Sequence, residues 1–222
     1  MATIYANAAD GNVSMMNSNW VTARDATAGT SASNSLSSAS RAIQTNRSAA
    51  RGGGYNYVIS RVFMYFDTSG ISSDVESATL KIYGSLNGGG DVIVVKSNSD
   101  ILTLGTADFD SIVGWSTGAD GSGAGDNSGN VTAYTSEIST WSTGAYNDIT
   151  LNAQALADMR DDNAVFICIL NYDYDLLDIE PTGSSFNGLF YANYTGTSRD
   201  PYIDYELAPA VTDNAVFFGC NF

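Results

Sequence analysis

The chain contains no histidine, two lysines and two cysteines in 222 residues, and each shortage removes a class of chemistry. Without an imidazole there is no Ser-His-Asp or Cys-His nucleophile, and no glycine-rich loop carries a catalytic lysine. Two cysteines with no histidine do not complete a four-ligand structural zinc site. A pair of carboxylates working as in a glycosidase remains, but among 24 acidic residues some pair meets that spacing by chance. The sequence therefore predicts a protein that is not an enzyme, with no cofactor and no metal. Cys168 sits inside the apolar run from Ala164 to Leu170 and reads as a small buried hydrophobe. Cys220 lies near the end of the sequence, and nothing places the two within bridging distance, so their pairing stays open.

Positive charge is equally scarce. Charged residues make up 15% of the chain and the net charge is −15, an acidic field that repels nucleic acid and anionic membrane surfaces. Neither is expected as a partner. Such a surface suits a particle that stays dispersed in salt water. No run approaches the apolar length of a membrane span, and the opening MATIYANAADGNVSMM has neither a basic start nor an apolar centre. We expect no secretory signal and synthesis in a host cytoplasm.

What is present points to strands. The chain is 44% hydrophobic, with 22 glycines and abundant Ser, Thr and Asn, as in short-stranded all-β proteins with many turns. One core and one domain over residues 1–207 are expected. The clearest signal runs from Tyr57 to Tyr83. Val58–Phe66 is rich in β-branched and aromatic residues, Ser69-Gly70 and Ser72-Ser73-Asp74 supply turn chemistry, and Ala78–Tyr83 begins a second strand, which together predict a hairpin. In the second strand Ala78, Leu80 and Ile82 alternate with Thr79, Lys81 and Tyr83, the period of a sheet with one wet face.

The rest follows in order. Thr3–Ala6 and Asn12–Met16 read as short strands around an Asp10-Gly11 hairpin turn. Ala26–Ser40 is small and polar, a long loop, with a strand near Leu36–Thr45. Arg41, Arg47 and Arg51 pair with surface carboxylates or meet an acidic partner. Arg51-Gly-Gly-Gly54 is not a phosphate loop, since it lacks the Lys-Ser/Thr and a following helix. Asn87–Gly90 turns into a strand at Asp91–Lys96, and Ile101–Phe109 holds a helical turn that Thr106 is placed to cap. Gly114–Asn130 is an exposed loop in which Asp120, Ser122, Asp126 and Asn127 offer oxygens to calcium, although loops are enriched in these residues without any ion. Asp173, Asp175, Asp178 and Glu180 form a second acidic cluster of the same kind. Asn152–Arg160 is the one helix, capped by Asn152 and laying Leu156 and Met159 on the sheet. Asn163–Tyr174, Gly188–Tyr194 and Pro201–Leu207 are the closing strands.

Several of these segments carry a family resemblance. Arg61-Val-Phe-Met-Tyr-Phe-Asp67, Ser77-Ala-Thr-Leu-Lys-Ile-Tyr83, Thr106-Ala-Asp-Phe-Asp110, Ile149-Thr-Leu-Asn152 and Ser198-Arg-Asp-Pro-Tyr-Ile-Asp-Tyr205 resemble, in the same order, pieces of the DNRLRE or disaggregatase-related jelly-roll domains. Those domains are relatives of some carbohydrate-binding modules and recur in virion proteins of tailed phages. The resemblance implies an all-β antiparallel jelly-roll sandwich with one short helix, and a capsid decoration or tail-associated protein of a bacteriophage. Its partners would be major capsid or other virion proteins and further copies of itself. The alternative is a glycan adhesin contacting host polysaccharide, with Trp20, Trp115 or Trp141 as a stacking platform; each of these tryptophans also reads as a packing residue. Beyond Ala208-Pro209-Ala210, Val216, Phe217, Phe218 and Phe222 put much apolar surface in a short segment. Residues 208–222 are expected to be either a plug on the protein's own sandwich or an arm docking on a neighbouring subunit.

Overall fold

Two long strands, β5 (Tyr55–Asp67) and β6 (Val75–Asn87), set the architecture. In the computed structural model, which describes residues 1–33, 41–98, 101–118, 125–192 and 198–209, they do not pair with each other. The first part of β6 lies between β11 (Tyr202–Leu207) and β8 (Tyr146–Thr150), and β1 (Ala2–Tyr5) adds on beyond β11. This is a four-stranded layer in the order β1-β11-β6-β8. The first half of β5 lies between β2 (Gly11–Asn17) and β4 (Ile43–Ala49), and its second half pairs with β9 (Ala164–Asn171). Beyond these stand β3 (Ser31–Ser33) on β2, β7 (Val92–Lys96) on β9, and β10 (Ser184–Leu189) on β4. The end of β6 also pairs with β10, so the two layers are hydrogen-bonded together at one corner. Every pairing is antiparallel, and the whole is the expected β-sandwich.

The predicted hairpin is therefore corrected. Both strands exist, but the turn between them, closed by Ile71 N–H on the Thr68 carbonyl and Thr68 N–H on that of Asn163, carries the chain from one layer to the other. The hydrophobic patterns explain why. From Tyr57 to Phe66 most side chains of β5 are buried, which requires cover on both faces, whereas β6 alternates and needs cover on one. The Asp10-Gly11 hairpin is corrected in the same way. β1 joins β11 and β2 joins β5, while Ala6 N–H bonds to Pro201 O and Asn7 N–H to Tyr65 O across the corner.

Val62, Met64, Phe66, Leu80, Ile82, Val94, Ile149, Ile167, Ile169 and Ile203 fill the space between the layers. A second core covers the opposite face of the larger layer. There Val13, Ile59, Phe63, Ile93, Val95 and Leu170 meet Trp20 and Ala23 of α1 (Trp20–Arg24), Phe109 after a 3-10 turn, and Leu176 of a π-helical turn (Tyr172–Leu176). Cys168 is fully buried here, as expected, and burial pushes its thiol well above the ordinary range; Cys220 lies outside the described residues.

α2 (Ala153–Asp161) starts where predicted, with Asn152 accepting from Ala155 N–H, Met159 fully buried and Leu156 packed on the core. The turn at Thr106–Asp108 is capped differently from expectation: Asp108 reaches back to Gly105 N–H, and the Thr106 side chain is not the cap. The described part of the expected Leu36–Thr45 strand enters regular pairing only at Ile43, and the strand expected at Gly188–Tyr194 ends at Leu189. Among the described residues no helix is long and apolar enough to cross a membrane.

Candidate functional site

The four-stranded layer turns its inner side chains, Leu80, Ile82, Ile149 and Ile203, into the core, each at most 4% exposed. Strand alternation then sends Thr3 and Tyr5 of β1, Tyr202 and Asp204 of β11, Thr79, Lys81 and Tyr83 of β6, and Tyr146, Asp148 and Thr150 of β8 outward. The register sets Tyr5 opposite Tyr202, Tyr83 opposite Tyr146 and Lys81 between Tyr202 and Asp148.

The rings form one continuous chain. Centroids are 5.5 Å apart from Tyr5 to Tyr202, 5.1 Å from Tyr202 to Tyr146, 5.2 Å from Tyr146 to Tyr83 and 5.6 Å from Tyr83 to Phe190. The planes are inclined by 48° to 86°, the tilted and edge-to-face arrangements that ring quadrupoles favour. At one end the exposed Arg199 guanidinium lies 5.2 Å from the Tyr83 centroid and 4.9 Å from that of Phe190. Tyr83 and Tyr146 donate their hydroxyls to Gly144 O and Asp200 O, which holds the rings in place. Burial, with the charges and hydroxyls around it, pushes the Tyr146 phenol up to about 12. Lys81 donates to Asp148 at 2.5 Å, a bond that raises its pKa, and Thr3 donates to Asp204 at 2.6 Å.

The tryptophans named from sequence are elsewhere. Trp20 is 6% exposed, packs on Tyr57 and donates its indole N–H to Asp178. Trp141 is 7% exposed and donates to Gly188 O. Trp115 is half-buried with its ring under the guanidinium groups of Arg24 at 4.8 Å and Arg61 at 4.1 Å. All three are engaged in packing, Trp20 and Trp141 by burial and Trp115 by the two guanidinium groups on its ring. Large apolar groups in small polar surroundings are what a fold uses as anchors, and that is their use here. The tyrosines were overlooked, although their outward positions were legible from the same alternation that placed Leu80 and Ile82 inside.

A second polar constellation lies under the outer core. Arg61, fully buried on β5, holds both Asp175 oxygens through Nε at 2.8 Å and Nη2 at 2.7 Å, and its nitrogens also reach Phe109 O and Arg24 O. Its guanidinium also lies 4.1 Å from the ring centroids of both Phe109 and Trp115. Arg24, equally buried, donates to Asp175 O, Leu176 O and Asp25. These bonds tie α1, β5 and the π-helical turn into one unit. The acidic cluster read from sequence is thereby dispersed: Asp175 serves Arg61, Asp178 serves Trp20, and Glu180 accepts from Tyr57 and pairs with Arg47. Arg47 thus has the surface partner expected of it, while Arg41 stacks on Phe186.

Asp173 alone of that cluster points to a different group. Its carboxylate, with those of Asp91 and Glu137, brings three oxygens within 4.8 Å of one another, and no cation pairs with them among the described residues. Desolvation raises the pKa values of the exposed Glu137 and the partly buried Asp173; at Glu137 a hydrogen bond with Asp91 and the charges of Asp91 and Asp173 add to this, and at Asp173 the charge of Asp91 does. These are the described groups best placed to meet a hard cation. Of the four residues offered to calcium from sequence, Asn127 is fully buried and spent on both the N–H and the carbonyl of Ser116, Asp126 accepts from Ser128 N–H, and Asp120 and Ser122 lie outside the described residues. Asp10 is a further buried carboxylate. Both its oxygens accept from Ala192 N–H, and burial, with Asp200 nearby, raises its pKa to about 8.

No protein-family model matches this sequence, and comparison with curated proteins likewise returns no match.

Proposed function

We propose that this protein is a non-enzymatic structural component of a virion, a capsid decoration or tail-associated protein that acts by covering and joining rather than by chemistry. Its buried ionisable groups support this reading, because Arg24, Arg61 and Asp175 are saturated by bonds that hold elements together. The observation that carries most weight is the way the chain leaves the sandwich. After β11, Ala208 N–H bonds to Asp74 O, at the rim of a shallow groove of about 300 Å³ lined by Asp74, Val75, Ala153, Leu156, Ala157 and Arg160. Val216, Phe217, Phe218 and Phe222 follow within a few residues and lie outside the described residues. In this reading the segment that follows is an arm that docks on major capsid or other virion proteins, or on another copy of this chain.

Mass spectrometry of purified particles tests the reading directly: the protein is expected in stoichiometric amount, and its absence from any particle sinks the proposal. Deleting residues 209–222 is expected to leave a soluble, folded protein that no longer incorporates. Unfolding or aggregation of the truncated chain would show that the segment belongs to its own core. The glycan reading retains one favourable observation, the tyrosine-bearing sheet face.

A further inference from the structure

The geometry points to the outer face of the four-stranded layer as a binding site for an uncharged polysaccharide chain, with Tyr5, Tyr202, Tyr146 and Tyr83 as its contact line. Four features carry this. First, one ring stands on each of the four neighbouring strands, Tyr5 on β1, Tyr202 on β11, Tyr83 on β6 and Tyr146 on β8, with contacting centroids 5.1 to 5.5 Å apart, so an extended ligand lying across the strands meets one ring after another. Second, successive planes are steeply inclined, so faces and edges both turn outward. Faces suit the C–H sides of sugar rings, and edges leave room for their hydroxyls. Third, the line is bordered by short oxygen-bearing side chains, Thr3, Thr79, Thr150, Asp148 and Asp204, which exchange hydrogen bonds with a polyol at little entropic expense. The Tyr5 and Tyr202 hydroxyls make no hydrogen bond among the described residues, while those of Tyr83 and Tyr146 are tied to backbone carbonyls. The pair on β6 and β8 is thus fixed, and the pair on β1 and β11 is available. Fourth, rigid tyrosines supply contact area with few torsions to freeze, so the face is ordered before the ligand arrives.

Charge selects the ligand class. Lys81 is already paired with Asp148, and Asp204 and Glu206 add negative charge beside the rings, leaving Arg199 as the cation at one end. With a net charge of −15 on the whole chain, a polyanionic glycan is repelled. A second copy of this chain is disfavoured on the same ground, since face-to-face pairing sets acid against acid. The site is independent of whether the protein resides on a particle.

Affinity electrophoresis of the purified protein in gels containing laminarin, xyloglucan or galactomannan, with an alginate gel alongside, is the test. Retardation is expected in at least one uncharged gel and not in alginate. Tyr5→Ala, on an exposed edge position, should weaken that binding about tenfold, the order of losing one stacked ring, with an unchanged circular dichroism spectrum. Tyr202→Ala should do the same, and Tyr202→Phe should retain most of the affinity. The assignment is overturned by any of four results: no retardation in the uncharged gels, retardation in alginate alone, retardation that Tyr5→Ala leaves unchanged, or self-association that Tyr5→Ala abolishes.

Discussion

Arg61 and Lys81 occupy equivalent places in the two layers. Each is a basic residue near the middle of a long central strand, on the side that faces away from the space between the layers. Their fates are opposite. Lys81 is partly exposed and meets an exposed Asp148, whereas Arg61 is at 0% exposure, holds an equally buried Asp175 and is flanked by Phe109 and Trp115. The difference arises from the neighbours. Around Arg61 the strand carries Ile59 and Phe63 on the same face, and that apolar surface draws α1, the Thr106–Asp108 turn and the π-helical turn over it. Around Lys81 the same face carries Thr79 and Tyr83, which water tolerates. Among the described residues a second core therefore forms on one layer only, and the other layer keeps a polar and tyrosine-bearing outer face.

The largest expected effect lies at Arg61. Replacing it with Met strands a buried carboxylate, and urea unfolding should show a loss of about 3–5 kcal/mol. The double variant Arg61→Met with Asp175→Leu should recover much of that loss, because an apolar pair needs no compensation. If Lys81→Ala proves equally damaging, the contrast between the layers fails.

Next comes Asp10. Its folded-state pKa is raised to about 8, so between the ordinary carboxylate range and pH 8 the folded protein keeps a proton that the unfolded chain sheds. Stability from this group is full at acid pH, declines as pH rises through that window and levels off above it. Asp10→Asn should flatten the decline, and its advantage over the parent should grow by about 4 kcal/mol between pH 5 and pH 8.5, read from unfolding curves.

Lys81→Ala should lower stability by less than about 1 kcal/mol, and by less still in high salt, as for other exposed pairs. The smallest effect is expected at Glu137. With chelator present, Glu137→Gln relieves the repulsion with Asp91 and Asp173 and should show as a slight increase in melting temperature. A fall of more than about 10 °C in melting temperature on adding chelator to the parent would instead mean that a bound cation supports the fold.

The strands themselves were legible because period-two alternation and β-branched runs are local. β6 and β11 appear where Ala78–Tyr83 and Pro201–Leu207 suggested, whereas β8 was not read as a strand. The Asn152 cap was equally readable, since a cap is a contact between residues three apart. Pairing partners were not. Asp10-Gly11 and Ser69-Gly70 carry ordinary turn residues, yet both sit at corners between layers, because the choice between hairpin and crossover depends on which distant strand offers the better face. The tryptophans were left with two readings for a related reason: an indole is as suited to anchoring a loop as to stacking on a sugar, and burial is what separates the two.

By itself, then, the sequence determined the strand content, the capped α2 helix, the acidic surface and the lack of imidazole chemistry, all properties of single residues or short periods. The tertiary structure decided that β5 and β6 belong to different layers, that Arg61 lies inside and Lys81 outside, and that Tyr5, Tyr202, Tyr146 and Tyr83, far apart along the chain, share one open face. These outcomes depend on register and on the apolar surface left uncovered once all strands have paired, quantities that no short stretch of sequence contains.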